Sequence, residues 1–520
     1  MPILVQGVLP GDTFKIDTHM VGRLQTPLAP TMDNLYFEYF YFFVPMRLIW
    51  SNFKYFMGES KSAWVDNTVY QIPSVSLGNL DVEKKSFLDY LGVPPGEYDS
   101  AQVITVPISV LPRRGYDLIW NEWFRDQNLQ DPLITYESLD TPDAEEANRL
   151  AMSARLLKAN KKHDYFTSCL PAPQKGPSVY IPFSDLTLPV VPMYESVPHY
   201  PTEIQMKNMS GDLAAGYNLG VKSPQGTLTS RSSTEFNSGG ISLSFQNLWA
   251  TNRYGDASIG APTINALRFA FQVQKIYERD ARSGSRYVEI LRAHFGVISP
   301  DSRQQRPEFL FGGSEIVGMQ QQVATASSSN ADTESNLGDV GAYSYTAHSK
   351  EGVERSFTEH GYIIGLATLR YKHTYTQGIP KYLTRVDRFD FYDPALAHLG
   401  EQPVFKSELY VADNIDEDIA GKVFGYDEAW ADYRYNMNRC TATMRPTPGE
   451  LGNLWTYADL YSTVPSLSAS WIKEDPANVE RTLALSSNSG VDNFFFDIYF
   501  DIYAIRPMPL YSVPGLIDHF

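Results

Sequence analysis

Residues 32–50, Met-Asp-Asn-Leu-Tyr-Phe-Glu-Tyr-Phe-Tyr-Phe-Phe-Val-Pro-Met-Arg-Leu-Ile-Trp, limit the folds open to this chain more than any other stretch. Leu35, Phe37, Tyr39, Tyr41 and Phe43 share one parity; Tyr36, Phe40, Phe42 and Val44 share the other, with Glu38 among them. Successive side chains of a strand point to opposite faces, so this strand is aromatic on both. Such a strand needs cover on both faces. One cover is the core of its own sheet; the other is a further layer of the same chain or another subunit. Near the other end, Phe494, Phe496, Ile498, Phe500, Ile502 and Ala504 alternate with Phe495, Asp497, Tyr499, Asp501 and Tyr503, the pattern of a half-buried strand. Strong strands at head and tail predict a sandwiched or closed β-domain with neighbouring termini and insertions between them.

The 520 residues permit two to four domains, or one β-domain with large insertions. Tyr and Phe, 33 and 28 residues, suit pleated half-buried surfaces and subunit interfaces. With 43 basic and 60 acidic residues the formal charge is −17, which repels nucleic acid overall. Any DNA contact is therefore local or needs a basic partner. Two cysteines, Cys169 and Cys440, make no disulfide framework and suit folding in a reducing cytoplasm. The first residues lack the charged and apolar regions of a signal peptide. No uncharged apolar run reaches the ~18 residues that span a bilayer, so membrane insertion is not expected.

Along the chain, Phe14, Ile16, Thr18, Met20 and Leu24 alternate with polar residues as a strand after the Pro10-Gly11-Asp12 turn. Residues 83–91 read as a short helix, 103–111 as a strand ending before Pro112, and 116–129 as a helix with Trp120, Trp123 and Phe124 inward. Thr141-Pro142 reads as the start of a helix whose far end carries Lys158, Lys161 and Lys162. Residues 171–201 are proline-rich. Gly, Ser, Thr and Asn dominate 207–262, an exposed, ordered, loop-rich excursion with a small strand at Ile241–Leu248. Thr263 opens the strongest helical stretch, and a second helix covers about 285–294. Residues 312–349 read as a low-complexity loop. From 357 the chain returns to strands, and 425–437 fits a helix through Tyr426, Trp430 and Tyr433.

No catalytic signature is present: no Gly-x-Ser-x-Gly, His-Glu-x-x-His, phosphate-binding loop or Cys-x-x-Cys. Gly312-Gly313-Ser314 lacks the following lysine and reads as a turn. Cys169, six residues after His163, reads as a small buried residue rather than a nucleophile. Asp413, Asp416 and Asp418, with Glu417, are weak candidates for structural calcium but miss the EF-hand spacing. A solvated acidic loop is the plainer reading, and no other cofactor is expected. Lys158, Lys161 and Lys162 are candidates for phosphate contact, although cations at a helix C-terminus also complement its dipole. An aromatic stripe such as Tyr426, Trp430 and Tyr433 usually belongs to a core.

Blocks from end to end resemble one family. They include Leu9-Pro10-Gly11-Asp12-Thr13-Phe14, Met32-Asp33-Asn34-Leu35, Phe42-Phe43-Val44-Pro45, Asn121-Glu122-Trp123-Phe124-Arg125-Asp126-Gln127-Asn128-Leu129 and His163-Asp164-Tyr165-Phe166-Thr167-Ser168-Cys169-Leu170-Pro171. Others are His294-Phe295-Gly296-Val297, Phe424-Gly425-Tyr426, Tyr433-Arg434-Tyr435, Arg506-Pro507-Met508-Pro509 and the closing Tyr511-Ser512-Val513-Pro514-Gly515-Leu516-Ile517-Asp518-His519-Phe520. The chain resembles the major capsid proteins of the Microviridae, most closely the gokushovirus subfamily; 207–262 and 312–349 match no motif.

The resemblance implies a mainly β viral capsid fold, an eight-stranded jelly roll with long helical and loop insertions, forming a T=1 icosahedral shell around circular single-stranded DNA. Residues 1–200 would form its N-terminal part, about 201–262 a protrusion at the three-fold axis, and 263–520 the remainder with a C-terminal arm. Implied partners are further copies assembling through pentamers, an internal scaffolding protein, a DNA pilot protein and a small basic DNA-binding protein. The virion would be its location, assembled in the host cytoplasm. Phe236, Trp249 and Tyr254 are candidates either for a host receptor or for stitching protrusions together. Tyr511, Pro514, Leu516 and Phe520 are candidates for an inter-subunit arm. The alternative is a carbohydrate-active or carbohydrate-binding β-sandwich; as an enzyme it needs two carboxylates across a cleft, and no distinctive pair exists.

Overall fold

A computed structural model describes residues 1–60, 69–98, 106–179, 264–325, 337–338, 340–411, 421–485 and 492–509. It describes the backbone alone of the strands Val190–Pro192, Ile204–Lys207, Leu213–Lys222, Thr227–Ser230, Ser244–Phe245, Leu248–Ala250, Ser328–Asn330 and Thr333–Ser335. The chain divides into two compact units, Met1–Gly176 with Tyr277–Phe520, and Pro177–Ile276.

In the first unit, head and tail meet in antiparallel sheets. The strands that matter are β1 (Pro2–Val8), β2 (Thr13–Leu24), β3 (Leu35–Pro45), β4 (Glu308–Ile316), β5 (Thr346–Lys350), β6 (Arg355–Ser356), β7 (Gly361–Tyr371) and β8 (Phe494–Ile505). One sheet runs β1-β7-β3-β4. The other centres on β2, with β8 on one side and β5 and β6 along the other. β8 pairs with β2 in unbroken register, from Thr13 opposite Ile505 to Leu24 opposite Phe494. Sequence alternation thus located both end strands, and the structure supplies the partner of β8, which is β2.

The sheets pack face to face. Phe37, Tyr39, Tyr41 and Phe43 of β3 join Phe14, Ile16, Met20 and Leu24 of β2 in one core, with Phe494, Phe496 and Ile498 packed against it. The Phe37 ring lies 6.0 Å from that of Phe494 and 5.9 Å from that of Phe496. Thr18 and Tyr41 share a hydrogen bond of 2.8 Å inside this layer, which satisfies two hydroxyls that burial would otherwise penalise. The opposite face of β3 is covered by its own chain. Phe42 and Val44 pack with Ile364 and Leu366 of β7 against Ile49, Trp50 and Phe53, and against α1 (Leu111–Ile119) and α2 (Ala144–Ala151).

Several local readings need correction. α1 starts earlier than expected, with Pro112 in its first turn, where a missing N–H costs nothing. It passes into a wider turn, Trp120–Phe124, and stops where Asp126 accepts the N–H groups of Asn128 and Leu129. α2 is capped by Asp143, which accepts from the Glu146 N–H at 2.8 Å, not by Thr141. It ends at Ala151, well short of Lys158, Lys161 and Lys162, so they do not answer its dipole. The 83–91 helix shrinks to Phe87–Tyr90. The expected 103–111 strand is reduced to Pro107–Ser109 within the described residues. Gly312 and Gly313 sit inside β4 rather than in a turn: a Cβ on Gly313 would fall 2.3 Å from the Tyr39 hydroxyl. Far from being a loop, 312–349 continues β4 and supplies Met319–Val323, which pairs with Val340–Ser344, and then β5. Residues 425–437 are not helical; Val423–Asp427 is a strand, and Trp430 adopts a φ of 65° before a single tight turn.

The second unit is also richer in strands than its composition suggests. Thr227–Ser230, Leu213–Lys222, Ile204–Lys207 and Ser244–Phe245 form one antiparallel sheet, and Val190–Pro192 pairs with Leu248–Ala250. Leu213, Ala215, Tyr217, Leu219 and Val221 do share one parity, but the Gly, Ser, Thr and Asn residues in and around these short strands hid the alternation, which is why the residues read as loops. Two helices follow: α3 (Ile264–Ser283), whose residues from Tyr277 belong to the first unit, and α4 (Tyr287–Phe295).

Candidate self-association surfaces

The interior is closed by ions as well as by aromatics. Arg113, 1% exposed, donates to Asp117 at 2.9 Å and to the carbonyls of Arg149 and Arg155 at 2.7 Å each. Its guanidinium lies over the rings of Phe87 and Tyr116. Arg114 grips Glu146 with two nitrogens, at 2.5 and 3.1 Å. Burial raises the Asp117 pKa, against the pull of Arg113 and Arg149. Each of these charges is partnered, the condition on which burial is tolerated. Sequence reasoning missed this network, because apart from the Arg113–Asp117 pair within α1 its partners lie on different elements.

A second buried network joins β7 to the C-terminal third. His373 Nδ1 lies 2.9 Å from Asp459, and Nε2 lies 3.3 Å from Glu474. Tyr461 donates to Asp459 at 2.8 Å, and Asn478 donates to it at 2.7 Å. Burial works against the imidazolium, but its hydrogen bonds to Asp459 and Glu474 outweigh that and raise its pKa to about 9. The network holds a cation in place among carboxylates.

Several large apolar side chains are exposed among the described residues, and two groups of them lie close to the sandwich and its C-terminal third. β8 turns Phe495, Tyr499 and Tyr503 outward, with Asp497 and Asp501 between them; Tyr499 is 65% exposed. Its free edge pairs with no strand among the described residues. The second is 379–399, a run of tight turns at Lys381–Leu383, Arg388–Asp390 and Pro394–Leu396. Its backbone is tied down: Asp390 accepts the N–H groups of Val386 and Asp387, and Arg385 pairs with Asp432 while lying 4.1 Å over the Tyr433 ring. Yet Leu383, Val386, Phe389 and Phe391 face solvent, Val386 at 87% exposure and Phe389 at 74%. Here an ordered backbone presents several large apolar side chains to solvent.

The sequence candidates fall as follows. Lys161 is buried, 3.6 Å from Asp459 and 4.3 Å over the Trp471 ring. Lys162 pairs with Glu38 at 2.9 Å and lies 3.6 Å over Tyr36. Lys158 is exposed. Thus the structure does not bring the three lysines together. Cys169 is buried, donates weakly to the Tyr165 carbonyl, and has a thiol pKa pushed up by burial. Trp249 lies in the strand Leu248–Ala250. Phe236, Tyr254, Asp413, Asp416, Asp418, Tyr511, Pro514, Leu516 and Phe520 lie outside the described residues. Among the described residues no group of three His, Cys, Asp or Glu is placed to hold a metal, and no helix is long and apolar enough to cross a membrane.

A match to the capsid protein (F protein) family covers residues 1–516. Capsid protein VP1 of Spiroplasma virus 4 is 35% identical over 526 residues, 99% of this chain and 92% of that protein. Capsid protein VP1 of Bdellovibrio phage phiMH2K is 34% identical over 539 residues, 100% and 92% of the two chains. That of Chlamydia phage 1 is 33% identical over 573 residues, 99% and 92%.

Proposed function

This chain belongs to the capsid protein (F protein) family and is a capsid protein, a virion component; from that premise we propose how it builds the particle. The resemblance to gokushovirus capsid proteins is borne out by the three VP1 relatives, all of which carry a structural name. The observation that carries the function is the match to that family over residues 1–516.

In our reading the two facing sheets are an eight-stranded jelly roll. Copies associate through the surfaces left bare once β3 is covered: the outer face of β8 and the turns of 379–399. Burying apolar surface there supplies about 25 cal/mol per Å² before association costs, and closed symmetry repeats each contact. The product would be a T=1 shell, assembled through pentamers around circular single-stranded DNA. An internal scaffolding protein, a pilot protein and a small basic DNA-binding protein would accompany it. The basic partner fits a subunit of charge −17. The unit Pro177–Ile276 would supply the three-fold protrusion and any receptor contact. Purified full-length protein, alone and with a scaffolding partner, should yield pentamers or particles by light scattering and negative-stain microscopy. A monodisperse monomer under all such conditions would refute the assembly scheme.

A further inference from the structure

Five buried polar atoms that lack a hydrogen-bond partner belong to neighbouring residues: the Nε atoms of Arg125, Arg286 and Arg306, and both ends of the Gln127 amide. All four residues line one cavity of about 390 Å³. A second cavity, of about 550 Å³, shares Arg125, Gln127 and Arg286 with it. Three elements converge here: the loop that leaves the Trp120–Phe124 turn, the residue capping α4, and the chain entering β4.

The three guanidiniums are held rigidly by their other atoms. Arg286 donates through Nη2 to the carbonyls of Asn121 and Arg125, at 2.8 and 3.0 Å. Arg125 donates through Nη1 to the Gln130 carbonyl at 2.7 Å. Arg306, only 8% exposed, lies 4.0 Å over the Trp123 ring. Burial first, and the Arg286 charge second, lower the Arg125 pKa; burial leads for Arg306 too, which Arg286 also disfavours. The nearby carboxylates do not hydrogen-bond to the three Nε groups. Asp301 stands 3.4 Å from Arg306 Nε, Glu122 stands 4.0 Å from Arg286 Nε, and Glu289 is engaged with Arg286 Nη1 at 3.1 Å. Asp126 spends Oδ1 on the N–H groups of Asn128 and Leu129. The guanidiniums thus share the cavity with carboxylates that balance their charge, but the three buried Nε donors still lack a hydrogen bond, a cost that an anion with several acceptor oxygens would remove.

The second cavity adds flat apolar walls. Phe42, Trp123 and Phe309 line it together, with Trp123 and Phe309 ring centroids 5.9 Å apart, and Phe309 partly exposed. An arginine-lined pocket beside aromatic faces suits a phosphate with a base attached, since bases stack on such rings without regard to sequence. A carboxylate peptide would use the arginines and leave the rings unused.

We propose that this cleft binds a nucleotide unit of single-stranded nucleic acid, its phosphate held by Arg125, Arg286, Arg306 and Gln127 and its base laid against Trp123 and Phe309. The proposal rests on the reading of the chain as a shell around single-stranded DNA, and it places the contact on residues other than Lys158, Lys161 and Lys162.

The direct test needs no variant. Full-length protein is photocross-linked to a short oligothymidylate bearing 5-iodouracil, and the linked peptides are mapped by mass spectrometry. Links to peptides containing Trp123 or Phe309 are expected; links confined to other regions overturn the site. In parallel, fluorescence anisotropy measures binding of the same oligonucleotide to Arg125→Gln/Arg306→Gln. Affinity should fall at least tenfold, and the salt dependence should flatten by about 1.4 in log–log slope, about 0.7 for each lost contact. Unchanged affinity in a variant of unchanged melting temperature overturns the site. Should that variant not fold, Arg306→Lys, which keeps the charge but loses the fork, should still weaken binding. Polyglutamate displacing the oligonucleotide at equal charge concentration would mean an acidic-polypeptide site, and inorganic phosphate binding without the oligonucleotide would mean a free-anion site; either overturns the proposal. Particles that enclose DNA while cross-linking elsewhere refute the cleft alone. A protein that neither binds the oligonucleotide nor forms particles refutes the shell as well.

Discussion

β3 and β8 announce themselves by the same signal, alternating aromatics, yet the protein uses them differently. β3 is greasy on both parities and is covered on both: by β2 and β8 across the sandwich, and by α1, α2 and the turns after Pro45 on the other side. β8 is greasy on one parity and mixes Tyr and Asp on the other, and only its first face is covered. The reason is solvation. Phe42 and Val44 gain only by leaving water, whereas Tyr499 and Tyr503 keep a hydroxyl that water can satisfy. Thus two-sided apolar alternation marks the inside of this subunit, and one-sided alternation with tyrosine marks a face left to solvent. The stretch 379–399 teaches the same from the other side, for its phenylalanines are exposed on a backbone that is firmly tied.

That contrast can be broken at its strongest point first. Phe37→Ala removes a fully buried ring that touches Phe494 and Phe496, and should cost about 3–5 kcal/mol in urea unfolding. A loss well under 1 kcal/mol would mean that β3 is not the centre of the core. Gly313→Ala should cost roughly 1–3 kcal/mol in thermal unfolding, because the Tyr39 ring it would strike is itself buried and bonded to His348 at 2.8 Å. Ala tolerated there without loss would show that β4 can shift away from β3.

The buried histidine sharpens the comparison with a pH axis. His373 has its folded pKa raised from the ordinary 6.5 to about 9. The stabilisation is therefore complete below about 6.5 and is lost as pH rises through about 9, on the order of 1–3 kcal/mol. Asp459 works in the opposite sense: burial opposes its charge, but His373 holds its pKa below the ordinary range, so its contribution fades in acid. Stability measured against pH should therefore decline on the alkaline side, and His373→Gln should flatten that limb. An alkaline limb unchanged in the variant would assign the decline to other groups. The smallest effect on folding is expected at the bare surfaces. Phe389→Asp and Tyr499→Ser should change subunit stability by no more than about 0.5 kcal/mol, while particle yield by light scattering collapses. Normal particles from both variants would remove these surfaces from the assembly scheme.

Strand content at the two ends was legible because side-chain alternation is a property of the backbone itself. Phe14 to Leu24 and Phe494 to Ile502 turn inward on the parity that their spacing predicts. Family membership was legible for the same local reason, in contiguous motifs such as Phe42-Phe43-Val44-Pro45. Other features depend on residues hundreds of positions away. The motif spacing of Gly312 and Gly313 says nothing of the Tyr39 ring that requires them. Lys161 and Lys162 look like a free basic patch until Asp459 and Glu38 are brought beside them.

The sequence alone settled which faces of the end strands are apolar and to which family the chain belongs, since both are written within a few consecutive residues. Only the tertiary structure decided that β2 receives β8, that helices cover the second face of β3, and that three arginines from separate elements share one cavity. Pairing, burial and the company a charge keeps are relations between distant parts of a chain, and they acquire an energy only once folding has set those parts side by side.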